Sequence, residues 1–287
     1  MKYTLSAAFI AAMSVGAVAA DLPSRVPAAA PALIIAPAYK WSGFYLGANA
    51  GYGWGHANFN IAPGGAWVGD PDLAGVTSAA TRRTGIDGFV GGLQAGYNWQ
   101  FGAMVVGVEA DVNLSDVSGG FASPTFPGVI LGSTYSARGD AGSDWFSTVR
   151  VRFGFAADRA LFYVTGGLAI ADNNFSHAVS FQNIGLQALP VTGVGGGANA
   201  ASNSTVNYGW TVGAGVEYAV HQNWTAKVEY LYANLGDNAA SSGYLSQLCQ
   251  LNCQFDLRHS EKKHMNVVRV GVNYKFGATA APVVARY

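Results

Sequence analysis

Charge is what this chain has least of. Only 11% of its 287 residues are Asp, Glu, Lys or Arg, where a soluble domain usually carries about a quarter. The 16 basic and 16 acidic residues cancel, so bulk electrostatics points to no nucleic-acid partner. Cysteine is nearly absent: Cys249 and Cys253 are the whole complement. Their closeness in a polar stretch reads as a local disulfide, which an oxidising compartment permits. Metal binding is the weaker alternative, because it needs more ligands than this pair with His259 and His264 nearby. No Gly-x-Ser-x-Gly elbow occurs, and the five histidines (56, 177, 221, 259 and 264) pair with no Ser or carboxylate in sequence. Gly193-x-Gly195-x-x-Ala198 matches a dinucleotide fingerprint only superficially, since no βαβ unit flanks it. No enzyme activity and no cofactor are expected.

Apolar residues (50%), 38 glycines and a rich aromatic set of 7 Trp, 14 Tyr and 15 Phe take the place of charge. They are arranged in steps of two. Phe44, Leu46, Ala48, Ala50, Tyr52 and Trp54 alternate with Tyr45, Gly47, Asn49, Gly51 and Gly53. Successive side chains of a strand point to opposite faces, so this segment has one apolar and one polar surface. The pattern recurs eight times, near 43–55, 87–101, 103–114, 144–156, 160–171, 205–220, 224–235 and 264–276. The fourth segment sets Asp144, Thr148, Arg150 and Arg152 inward. The fifth is the weakest, because Phe162 and Tyr163 put aromatics on both faces. Long connections (56–86, 115–143, 172–204, 236–263) alternate with short turns. That is the habit of an all-β, eight-stranded, antiparallel up-and-down transmembrane barrel with short periplasmic turns and longer external loops. The stretch between Asp172 and Glu217 holds no charged residue and reads as a neutral, mobile surface loop.

The ends fit this reading. Residues 1–20 have the form of a signal peptide: Lys2, an apolar run from Leu5 to Val18, then small residues with cleavage near Ala20. That run is short for a spanning helix. Residues 21–40, punctuated by Pro23, Pro27, Pro31 and Pro37, form an extended periplasmic leader. The barrel occupies 41–276, and 277–287 is a tail. Trp54, Trp99, Trp145, Trp210, Trp224 and Tyr274 fall at predicted strand ends, where amphipathic rings favour the lipid–water boundaries.

The inward rows carry the rare charges: Glu109, Asp111, Glu217 and Glu229 against Arg150, Arg152, Lys227 and Arg269, with Lys275 near the periplasmic mouth. An eight-stranded barrel is just wide enough for its side chains to fill. On the lipid side, Arg150 or Arg269 would cost roughly 2–4 kcal/mol at the midplane. These residues are therefore expected to form an interior ion-pair network that plugs the lumen. A narrow pore lined by charge is the alternative.

Trp41-Ser42-Gly43-Phe44-Tyr45-Leu46-Gly47 resembles the opening of the rhizobial-type outer-membrane immunogenic proteins, a family of small OmpA-like, porin-family barrels. Gly91 to Gln100, Gly107-Val108-Glu109-Ala110-Asp111, Lys227 to Tyr232 and Val268 to Phe276 are similar to later strands of that family. The resemblance implies an outer-membrane barrel with surface-exposed, often antigenic loops, and no defined enzyme activity. Phe276 resembles the terminal aromatic read by the barrel-assembly machinery, although Gly277 to Tyr287 follow it. The expected surroundings are outer-membrane lipid and lipopolysaccharide of a Gram-negative bacterium. A structural role in envelope integrity leads. A passive diffusion channel, or adhesion or capture of an unidentified extracellular ligand by the loops, are the alternatives.

Overall fold

A computed structural model of the chain describes residues 39–129, 132–182, 196–246 and 253–277. The expected signal peptide, nearly all of the expected leader, the tail beyond residue 277 and the expected Cys249–Cys253 disulfide lie outside the described residues. Eight long strands and one two-residue strand run β1 Gly43–Gly65, β2 Arg82–Phe101, β3 Met104–Ala122, β4 Phe126–Pro127, β5 Thr134–Ala157, β6 Ala160–Gln182, β7 Gly196–Ala219, β8 Trp224–Ser246 and β9 Cys253–Lys275. A helix, α1, spans Leu73–Ala80. Each long strand pairs antiparallel with its sequence neighbour, except that β3 pairs with β5 past the short β4, which adds only to β5. β1 closes the ring against β9, from Tyr45↔Lys275 to Gly65↔Phe255. Through the lower part of the strands every neighbour is paired, which a sheet in lipid requires; β7 and β8 pair only from Trp210↔Asn234 to Ala219↔Thr225 and part above it.

The lipid-facing and inward rows fall as the alternation predicts. Leu93, Val108 and Val270 are 65%, 44% and 57% exposed, while Glu109 and Arg269 are each 1% exposed. At one end the strands reverse in tight turns. Gly102 makes the β2–β3 turn at φ +62°, and Asp158 takes φ 53° between β5 and β6. Glycine visits that left-handed region freely, and Asp is among the few other residues that tolerate it.

The opposite end departs from expectation. The long connections are mostly strand: the long strands run 19 to 24 residues, where about 9–11 cross a membrane. The Phe44–Trp54 row matches that crossing length. Above it the pattern inverts. Ala57, Phe59 and Ile61 point inward and are buried, while His56, Asn58 and Asn60 face out. A barrel wall in water needs an apolar inside, and one in lipid needs an apolar outside. One strand serves both by reversing polarity at the band edge. The supposed loop 172–204 likewise begins and ends as paired strand, up to Gln182↔Gly196.

Two further readings are corrected. Asp144 is exposed, not inward, because the β5–β6 register is interrupted between Gly142 and Phe146. Such an irregularity re-aims side chains. Tyr163 does not weaken its strand: it is buried while Phe162 faces out.

The far end is filled rather than open. Val76, Ala79 and Ala80 of α1 share one helical face and pack with Ile61, Val179, Leu257 and fully buried Trp67. The Trp67 ring meets Phe181 and Phe255 edge-on, each at 5.1 Å, and its Nε1–H donates to Asn199 Oδ1 at 3.3 Å. Trp67→Ala should remove about 3–5 kcal/mol from this extension. Limited proteolysis should then cut the upper strands while the membrane band keeps its folded mobility on unheated gels.

Candidate functional site

The inward row of β9 gives the order of interior layers. From the turn end it reads Lys275, Asn273, Arg269, then apolar Val267 and Met265, then Lys263, Glu261 and His259, then apolar Leu257 and Phe255, all buried.

The lowest layer stops the turn end. Trp41 packs with Val105, Leu161, Tyr163 and Ala219, and its backbone N–H donates to Gln100 Oε1 at 2.7 Å. Lys275 sits here, with its ammonium 4.2 Å from the Tyr39 ring and donating to the Lys40 carbonyl.

Above it lies the charged layer, and all eight residues expected in it are there. Arg150 reaches Glu109 at 2.5 Å, Asp111 at 2.8 Å and Glu229 at 3.0 Å. Arg269 reaches Glu229 at 2.6 Å and Asp111 at 3.0 Å. Arg152 contacts Glu217 at 2.6 Å, and Lys227 contacts Glu109 at 2.9 Å. Four carboxylates face four cations, and each of these side chains is at most 3% exposed.

The sequence reading missed the neutral partners. Tyr45 donates to Glu109 Oε2 and accepts from Arg152 Nη1, both at 2.7 Å. Tyr163 donates to Glu229 at 3.0 Å, and its ring lies 4.0 Å from the Arg152 guanidinium. Asn49 donates to Gln94, Gln94 to Asn273 and Asn273 to Glu217, at 3.1, 2.6 and 2.8 Å. With these, every long strand contributes a side chain to one connected network. Gly51 leaves room for it, since a Cβ there would come within 2.7 Å of the Arg269 Cβ. The signal for the tyrosines was available: a Tyr on a polar inward row carries a hydroxyl that must find a partner.

A second polar layer was not foreseen. His259 Nε2 lies 2.7 Å from Ser242 Oγ, and His259 Nδ1 lies 3.1 Å from His177 Nδ1. Histidines scattered in sequence thus do pair, one with a serine, across β6, β8 and β9. Below them Asn173 donates to Glu261 at 3.0 Å, and Lys263 donates to Asn173 Oδ1 at 2.5 Å. Among the described residues no group of three His, Cys, Asp or Glu is placed to hold a metal ion.

On the outside, Trp54, Trp99, Trp210, Trp224 and Tyr274 are exposed. Trp145 is half-buried, opposite Leu114 beside the β5 irregularity. Phe276 is exposed, and its backbone N–H donates to the Phe44 carbonyl at 2.8 Å.

The family model for the outer membrane protein beta-barrel domain matches residues 5–276. The chain belongs to the outer-membrane β-barrel family. It is 34% identical over 278 residues to the 31 kDa outer-membrane immunogenic protein of Brucella melitensis, covering 96% of this chain and 100% of that protein. It is 31% identical to the 22 kDa outer membrane protein of Rhizobium leguminosarum bv. viciae, over 70% of this chain and 67% of that protein. Among solved structures it is similar to the outer membrane protein OprG of Pseudomonas aeruginosa, with 14% identity, TM-score 0.40 and coverage of 84% of this chain and 99% of that one. This barrel is therefore an outer-membrane protein of a Gram-negative bacterium. The Brucella relatives are named outer-membrane immunogenic proteins.

Two outcomes follow for the barrel interior. Glu229→Gln leaves Arg269 and Arg150 short of a buried counter-charge, so it should cost about 3–5 kcal/mol in chemical unfolding of the detergent-folded barrel. The histidine layer sets a pH response. Burial pushes His177 and His259 down from 6.5 to about 4, and for His177 the neighbouring His259 adds to the shift. The unfolded chain binds these protons first, so stability held above pH 6.5 is lost as pH falls toward about 4. Unfolding titrations of the upper strands should show that slope, and His177→Gln with His259→Gln should flatten it.

Proposed function

We propose that this protein is a closed, non-enzymatic structural barrel. It contributes to envelope integrity and presents a rigid, polar-walled extension at the cell surface. The observation that carries the reading is the charged layer. Eight ionised side chains from five strands fill one cross-section and pair with one another, with Trp41 packed below and apolar side chains packed above. Opening a path would strand buried charges, each of which costs several kcal/mol unpaired. The apolar layer above it adds no polar lining for an ion to follow. His259 is fully buried beneath the Trp67–α1 layer, out of reach of a substrate.

Planar-bilayer recording of the purified, folded barrel tests this directly. The closed barrel gives no unitary events beyond lipid-only controls. Discrete, reproducible openings that vanish on heat unfolding would assign the protein as a narrow diffusion channel instead.

A further inference from the structure

The outer wall is electrostatically lopsided where it leaves the lipid band. On one side β2, β1 and β9 carry Arg83, His56, His264, Lys262 and Arg258, all facing outward. Register places them in two neighbouring rows and one farther up. Arg83 pairs across Asn58 with Lys262, His56 lies opposite His264, and Arg258 lies opposite Ala62. The two imidazole rings are 6.1 Å apart. Burial first, then neighbouring His56 and Arg83, depress the His264 pKa. Lys262 shares its charge with Asp237 on β8 at 3.0 Å. The opposite wall, β5 and β6, carries Asp140, Asp144 and Asp172, with Arg138 held by Asp140 at 3.1 Å.

Directly below the basic rows the wall changes to apolar. Trp54, the next outward residue of β1 below His56, marks the boundary. Beneath lies a shallow groove of about 790 Å³ lined by Ala50, Tyr52, Phe89, Leu114, Val268 and Val270. The acidic groups nearest it are engaged: Asp87 accepts the Tyr52 hydroxyl, and Asp116 accepts the Phe89 backbone N–H at 2.5 Å. An apolar groove capped by guanidinium, ammonium and imidazole groups, at the height of the lipid headgroups, is complementary to an anionic lipid. Arg83 offers the planar donor fork that suits phosphate.

We propose that this β2–β1–β9 face is a binding site for a phosphorylated, multiply acylated lipid of the outer leaflet. The phosphate sits among Arg83, Lys262, His56 and His264, and one acyl chain lies in the groove over Phe89 and Val268. The acidic β5–β6 wall disfavours the same headgroup, so the barrel takes one preferred orientation toward such a lipid. The site is independent of whether the lumen conducts.

The test is native mass spectrometry of the folded, full-length protein, with purified lipid A as probe. Wild type retains lipid A. Arg83→Ala with Lys262→Ala lowers retention about ten-fold, since each cation near an anionic lipid surface contributes a several-fold factor. Arg138→Ala, on the opposite wall, leaves retention unchanged. Heat-modifiable gel mobility verifies that all three are folded. Equal retention by wild type and the double variant would overturn the proposal. So would equal retention of dephosphorylated lipid A, because it keeps the acyl chains and lacks the phosphate, or of glycerol phosphate in place of lipid A, because it keeps the phosphate and lacks the chains.

Discussion

A charge in a lumen this narrow cannot be hydrated as it would be in bulk, so it must find its partner across the barrel. That constraint organises the molecule. Glu109 and Asp111 come from β3, Arg150 and Arg152 from β5, Glu217 from β7, Lys227 and Glu229 from β8, and Arg269 from β9. The tyrosines and amides bring in β1, β2 and β6. Neighbouring strands are already joined by backbone hydrogen bonds. The network adds diagonal ties between strands that never touch along the wall, such as the 3.0 Å link of Arg269 on β9 to Asp111 on β3. It also fixes register. A slip of one residue would turn an arginine into lipid and a valine into the network.

The rest of the interior follows from what surrounds each level. In the membrane the outside is apolar by necessity, so polar residues collect inside. Above the membrane the outside meets water, so the inside takes the apolar residues: Phe59, Phe146, Phe175 and Leu231, then Trp67 and the buried face of α1. The histidine layer lies between two such apolar strata. Ser242, His177, Asn173 and Lys263 meet there because β5, β6, β8 and β9 converge on one cross-section. The chain thus builds a lipid-facing barrel and, above it, a water-facing wall on the same eight strands, parted between β7 and β8.

The polarity switch also explains what was legible in the sequence. The lipid band demands strong contrast, so rows such as Met104, Val108 and Val112 against Val105, Glu109 and Asp111 announce both strand and facing. The eight interior charges could be named for that reason. Beyond the band the contrast reverses and softens. After Trp54 the outward row becomes His56, Asn58 and Asn60, and a reading that follows the apolar row sees the strand end there. The Leu257–His259–Glu261–Lys263–Met265 row alternates inward yet mixes apolar and charged residues, so it carries no periodic hydrophobic signal. The His177–His259 contact joins residues far apart in sequence, and only the closed ring brings them together. Asp144 was misplaced because an irregularity in pairing changes facing without leaving a mark in the residue types.

The central claim is that the charged layer is dry, mutually paired and shielded from lipid. Solid-state NMR of the unmodified protein in lipid bilayers tests it most directly, by following magnetisation transfer to the arginine side chains. The account predicts contact between the Arg269 guanidinium and the Glu229 and Asp111 carboxylates, with water exchange far slower than at exposed Arg138. Lipid-chain transfer should reach Leu93, Val108 and Val270 and no arginine. Guanidinium protons of Arg150 and Arg269 that exchange with water as fast as those of Arg138 would contradict it.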